Sequence, residues 1–300
     1  MNMLLRQHRR RGQAGLTIVE MMVALLIASI LLAGLVTIFA SMRTSFATTR
    51  ALNHLVNQQR FASTELTNAI STAGYYPLTN RAVRGQYPDA QVAFPVETTT
   101  IGSHAIDFAT AGQTVYGTGG TSAGSNDVVA VRMIHGASVS SPYDCLGQAP
   151  AGGTASAATR VTSVYWVDTA RNELKCATST NTAGASLVGG EQLKGPGIAV
   201  SPAVYGGVKS LIAEYGVDTD RDGSVDRFMS AETLNSSGGD ICPDVISGEG
   251  NSSPCWPYVR SVRFSLEFIS ALNEGKSPLP LTRTVMLSNA DGKTLNSNME

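Results

Sequence analysis

The hydrophobic pattern changes character along the chain. Residues 16–40 are apolar on every side, interrupted only by Thr17, Glu20, Ser29 and Thr37. A helix of that kind has no solvent face, and about 25 residues cross a bilayer with some tilt. From residue 41 the apolar positions thin to a stripe of Leu52, Leu55, Val56, Ala62, Leu66, Ala69 and Ile70 at helical steps. Asn53, Asn57, Gln58 and Glu65 lie largely off it. No Pro falls within 41–73, and Gly74 and Pro77 supply a stop. The pattern predicts one helix from about 16 to 73, roughly 85 Å long at 1.5 Å per residue. Its first half needs an apolar surrounding; its second half lays the stripe on a globular domain.

Beyond Pro77 the period shortens to two. VVAVRMI (128–134), VTSVYWV (161–167) and VKSLIAEYGV (208–217) are β-rich runs. VRSVRFSLEF (259–268) alternates most cleanly: Val262, Phe264, Leu266 and Phe268 face one way, Arg263, Ser265 and Glu267 the other. LTRTVML (281–287) follows a Pro-rich turn and can pair with it antiparallel. GQAPAGGTASAAT (147–159) reads as a low-complexity loop, and 288–300 as a polar tail. The predicted fold is α+β: a long N-terminal helix, membrane-spanning in its first half, packed on an antiparallel β-sheet with long loops.

Charge and cysteine usage set the compartment. Arg6, Arg9, Arg10 and Arg11 precede the apolar run. They hold the N-terminus in the cytoplasm, so everything after Ala40 is exported. The formal net charge is −1, and no global field argues for nucleic acid. An even count of four cysteines in an exported domain suggests disulfides. Pairing sequence neighbours gives Cys145–Cys176 and Cys242–Cys255, each stabilising by roughly 2–4 kcal/mol. There is no C-x-x-C pair and no His close to a Cys, which argues against zinc.

Glu20 is the anomaly. A lone carboxylate in hydrocarbon costs several kcal/mol unless paired. No small-residue cleavage pattern ends the apolar run, and the small Gly15 lies before it. One reading is an uncleaved signal anchor. However, Gly15 and then Leu16-Thr17-Ile18-Val19-Glu20, behind a basic leader and ahead of a long apolar helix, closely resembles the prepilin leader of type IV pilins and pseudopilins. The resemblance implies that a prepilin peptidase cuts between Gly15 and Leu16 and methylates the new amine of Leu16. It also implies that Glu20 meets the amine of a neighbouring subunit in a filament core. The family usually has Phe where this chain has Leu16.

RFASTELTNAISTAGYYP (60–77) resembles the end of the long helix in PilW-type minor pilins. The similarity continues weakly through SNDVVAVRM (125–133), SPYDCLG (141–147) and YGVDTDRDGSVDR (215–227). It implies a leader at 1–15, a transmembrane or filament-core half-helix at 16–40, an amphipathic half at 41–74, an exported β-rich domain at 75–287 and the tail at 288–300. The implied function is a non-enzymatic minor pilin that helps initiate or cap a type IV pilus. Its implied partners are other minor pilins, the major pilin, the inner membrane and a tip adhesin. The alternatives are a J-type pseudopilin of type II secretion, and a membrane-tethered, calcium-dependent binding domain.

The sharpest local motif is the run from Asp218 through Asp220 and Asp222 to Gly223, Ser224 and Asp226. Alternating carboxylates followed by Gly match the first half of a calcium loop. Asp218, Asp220 and Asp222 can point at one hard cation, with the Ser224 carbonyl and Asp226 adding oxygens. The twelfth position is Met229, not Glu, and Glu232 lies three residues on. The competing reading is a solvated acidic turn between strands. No cofactor is required by the rest of the chain, and Ca2+ is the one candidate. Nothing argues for catalysis: His8, His54, His104 and His135 are scattered, and no G-x-S-x-G or H-E-x-x-H occurs.

Overall fold

A computed structural model describes residues 15, 17–75, 94–101, 103–119, 126–135, 143–147, 159–182, 199–200, 205–220, 222–236, 255–269 and 279–287. The chain divides into two compact units, Met1–Leu52 and Asn53–Glu300. The predicted leader up to residue 14 and the polar tail lie outside the described residues, as does most of the low-complexity loop.

Helix α1 spans Ile18–Ser71, close to the range that the pattern predicts. It ends as expected at Gly74, which takes φ +75°, a conformation open to glycine at no steric cost. The Gly74 amide donates to the Arg132 carbonyl at 2.8 Å, and the Ile134 amide donates to the Tyr75 carbonyl at 2.8 Å. The helix stop is thereby tied to the strand that carries Arg132. Of the predicted stripe, Leu55, Ala62, Leu66 and Ile70 are buried. Leu52 and Val56 are exposed instead. Val56 sits about 100° round the helix from Leu55, at the edge of the buried face, and Leu52 precedes its first position.

The strands are β1 (Glu97–Ile101), β2 (His104–Phe108), β3 (Val115–Thr118), β4 (Val128–His135), β5 (Thr159–Asp168), β6 (Glu173–Thr182), β7 (Ala199–Val200), β8 (Tyr205–Gly206), β9 (Val208–Val217), β10 (Arg227–Ser230), β11 (Val259–Phe268) and β12 (Leu279–Met286). A short helix, α2 (Ala231–Ser236), follows β10. Among the described residues there are three groupings instead of one sheet, all antiparallel. They are the hairpin β1-β2, the order β10-β9-β11-β12, and the order β3-β4-β5-β6-β7 with β8 also on β6. The β11–β12 pairing matches the expectation. Alternation reports which face of a strand is buried, not which strand lies beside it.

Both larger sheets turn their apolar faces into one core. Val129, Val164 and Leu174 come from one, Leu211, Phe264 and Phe268 from the other, and Leu66 and Ile70 from α1. Trp256 packs edge-on against Tyr215, with ring centroids 4.8 Å apart. A Cβ at Gly117 would overlap the Tyr215 ring, so this site on β3 requires glycine.

Two of the polar joints inside the fold involve β4 and the residues just before it. Arg132 is fully buried on β4 and stacks over Phe108 at 3.8 Å. Its guanidinium donates to the Gln113 carbonyl and, at 2.8 Å, to the Pro95 carbonyl. Glu97 lies 3.6 Å from Arg132 and 3.1 Å from Arg160. Burial pushes the Arg132 guanidinium down to about 9, against the pull of Glu97. The second joint links the two sheets. β10 pairs only with residues 214–217 of β9. Beyond it, the Leu211 amide donates to Asn126 Oδ1 at 2.9 Å and the Ala213 amide to Asp127 Oδ2 at 2.8 Å. The Asp127 amide donates to the Leu211 carbonyl at 2.9 Å.

Burial raises the Asp127 carboxyl from 3.8 to about 6; the Ala213 amide opposes the shift and the Glu214 charge adds to it. The folded chain therefore binds a proton that the unfolded chain has released. Its stabilising effect is present at acid pH and is lost as pH rises from about 4 through 6. Asp127→Asn should flatten this component. Melting temperatures of the full chain in detergent, taken between pH 4.5 and 7.5, should show the wild type losing stability with rising pH more steeply than the variant across that window. Parallel profiles would show that Asp127 does not titrate with folding.

Candidate functional sites

The first site is the start of α1. Gly15 is exposed, with open space about its Cα; Leu16, the other half of the expected cleavage bond, lies outside the described residues. The Thr17 amide and hydroxyl each donate to Glu20 Oε2 at 3.2 Å, and the Glu20 amide donates back to Thr17 Oγ1 at 3.3 Å. This reciprocal cap satisfies donors that a helix start leaves open. It also sets the carboxylate at the positive end of the helix dipole. The cap between Thr17 and Glu20 is not among the features expected from the sequence, although the Thr-x-x-Glu spacing is a signal for it. Glu20 thus has a local role besides any contact with another subunit.

From Ile18 to Phe46 every large apolar side chain of α1 is at least 52 % exposed. Among the described residues this helix alone is long and apolar enough to cross a membrane. Its surface is what lipid or neighbouring helices of the same kind would cover.

The second site is the turn between β9 and β10. Strands flank it, as predicted, not helices. Ligand oxygens of Asp218, Asp220 and Asp222 lie within 4.8 Å of one another. Asx-type bonds shape the turn: the Asp222 amide donates to Asp220 Oδ1 at 3.1 Å, and the Ser224 amide to Asp222 Oδ1 at 2.7 Å. Gly223 takes φ +92°, and its amide donates to Asp218 Oδ2 at 3.1 Å. Asp218 is fully buried, and Arg260 Nε also reaches its Oδ2, at 3.1 Å.

Asp226 is not in the oxygen cluster. Its Oδ2 accepts from the Thr219 amide and hydroxyl, each at 2.6 Å. These bonds, the hydroxyl first, hold its carboxyl below the ordinary range. Nor does Glu232 join: it lies exposed on α2, while Met229 is buried in β10. The cluster is thus three carboxylates with an arginine on one of them. Arg260, 42 residues away on β11, had no signal in the sequence around the turn. The arrangement can offer carboxylate oxygens to a hard cation.

The third feature is covalent. Cys145 and Cys176 form the expected disulfide, tying the segment before β5 to β6. Cys255 is disulfide-bonded as well; its expected partner, Cys242, lies outside the described residues.

Residues 10–36 match the model of the prokaryotic N-terminal methylation motif. Residues 164–289, from within β5 to just beyond β12, match that of type IV pilus-assembly protein W. No curated protein and no solved structure matches the chain.

The acidic turn yields a stability test. A Cβ at Gly223 meets nothing within 4 Å, so the positive φ is the whole cost of adding one. Gly223→Ala should lower stability by about 1–2 kcal/mol, read from denaturant unfolding. A loss below 0.3 kcal/mol, taken as the rough limit of measurement, would mean that the turn relaxes to another backbone conformation.

Proposed function

We propose that this chain, a PilW-type pilin of the inner membrane, serves in a type IV pilus as a non-enzymatic priming or capping subunit. The observation that carries the reading is the methylation motif at 10–36, which runs into a helix whose large apolar side chains from Ile18 to Phe46 are exposed among the described residues. In this reading the peptidase cuts between Gly15 and Leu16, and the new Leu16 amine is methylated. In the growing filament Glu20 then pairs with the amine of a neighbour, relieving two charges that are each costly alone in a low dielectric. The partners are other minor pilins, the major pilin and, at the tip, an adhesin. A place in the pseudopilus of type II secretion uses the same helix and the same pairing. The neighbouring genes separate the two: minor pilins beside an adhesin, or secretion components.

The reciprocal cap makes a sharp experiment possible. Glu20→Gln keeps an oxygen for Thr17 but loses the charge, whereas Glu20→Ala loses both. Both variants should enter the membrane, and mass analysis should find each, like the wild type, starting at a methylated Leu16. Both should support far fewer pili per cell than the wild type. A normal pilus count for Glu20→Gln would reduce Glu20 to a helix cap, and an intact Met1 start in cells with active peptidase would remove the pilin reading of the junction.

For the turn at Asp218, Asp220 and Asp222 the reading is calcium, supported by three convergent carboxylates whose oxygens suit a hard cation. Backbone carbonyls and water complete such a set; Asp226 does not contribute from its present position. An ion that binds only the folded chain stabilises it by about 2.7 kcal/mol at a hundredfold excess over Kd. The full chain in detergent should melt higher in millimolar calcium than in chelator. Asp220→Asn with Asp222→Asn should remove the difference, and magnesium should replace calcium poorly. Coincident curves for the wild type would leave the turn as a solvated hairpin.

A further inference from the structure

Beside the Cys145–Cys176 bridge, the last turns of α1 face β4 and β5 across a cleft of about 430 Å3, within the size range of small-ligand sites. Its lining includes the polar Glu65, Asp144 and Tyr165, the apolar Val131 and Met133, and Tyr143. The Tyr165 hydroxyl donates to Glu65 Oε1 at 3.1 Å. Asp144 is buried, and its Oδ1 holds the Leu146 amide at 3.0 Å. Tyr143 is 67 % exposed. None of the described lining residues is Lys, Arg or His.

A third source of negative potential is the helix itself. Ser71, where α1 ends, and Thr72 line the cleft, and the last turn carries no basic side chain. The carbonyl end of the dipole is therefore uncompensated by the helix's own residues. Burial raises the Glu65 carboxyl above its ordinary value; the Tyr165 bond offsets part of this and the Asp144 charge adds to it. A cation beside Glu65 would oppose that shift.

We propose that this cleft binds an alkylguanidinium or alkylammonium group, with Glu65 and Asp144 as its counter-charges and the Tyr143 ring available to its face. That head group is shared by Arg and Lys side chains presented by another protein and by free polyamines. The inference does not rest on the priming role or on calcium.

The test is calorimetric titration of the full chain in detergent at pH 7.5. Ethylguanidinium should bind saturably and at least tenfold more tightly than ethylurea, which has a similar shape without the charge. Glu65→Gln with Asp144→Asn keeps an acceptor oxygen at both sites; it should melt like the wild type without ligand and bind ethylguanidinium at least tenfold more weakly. Nα-acetylarginine amide and spermidine then distinguish the source. Tighter binding of the former points to a protein side chain, of the latter to a polyamine, and either supports the cationic site. Equal affinity for ethylguanidinium and ethylurea, or no saturable binding of either, overturns it, whatever the double variant does.

Discussion

The constraint on which this protein depends is the apolar surface of the first half of α1, exposed among the described residues. Burying one Leu, Ile or Met side chain contributes about 1.5–3 kcal/mol, and from Ile18 to Phe46 these side chains stand open. Water is excluded as their surrounding. Lipid tails and the apolar faces of neighbouring helices are nearly equivalent as replacements. Moving such a helix from bilayer to filament therefore changes its hydrophobic free energy little. Something other than apolar burial has to fix position and register, and the polar residue of the first turn, Glu20, has the chemistry to do so.

The second unit meets a different requirement. It holds one face of α1, from Leu55 to Ile70, against two sheets that share no ladder among the described residues. Hydrophobic contact is non-directional and would tolerate sliding of one sheet over the other. The directional links are polar. Asn126 and Asp127 bind the amides of Leu211 and Ala213, Arg132 is held by Gln113, Pro95 and Glu97, and the Gly74 amide anchors the helix stop to β4. A buried polar group is costly unless its partner is in place, so each link penalises alternative packings more than it stabilises the native one.

How much of this the sequence revealed depended on the range of the signal. β9 and β11 fall at 208–217 and 259–268 as their alternation predicts, because burial of one face writes itself into consecutive residues. The extent of α1 follows in the same way from its pattern and from Gly74. The β1-β2 hairpin was missed, although its strands flank only Gly102 and Ser103, a short glycine-containing connection. Its strands are five residues each, too short for periodicity to stand out, and three of the five in β1 are threonine. The division into separate sheets, and Arg132 bridging to Glu97, are non-local facts with no periodic trace. The acidic turn divides on the same line. Asp218, Asp220 and Asp222 converge as their spacing suggests, while Asp226 is captured by Thr219 and Asp218 by Arg260.

The same reasoning refines what Glu20 does. A carboxylate offers about four lone-pair sites on two oxygens, and the bonds from Thr17 all fall on Oε2. Capping the helix and meeting a neighbour's amine are therefore compatible within one side chain. The cap also restricts the rotamers of Glu20 before any subunit arrives. Immobilising a flexible side chain on association costs about 0.5–1.5 kcal/mol, and here part of that ordering precedes assembly. In the proposed contact the amine then meets a carboxylate already oriented at the dipole-positive end of the helix, and the Thr-x-x-Glu spacing that caps one subunit also presents its charge to the next.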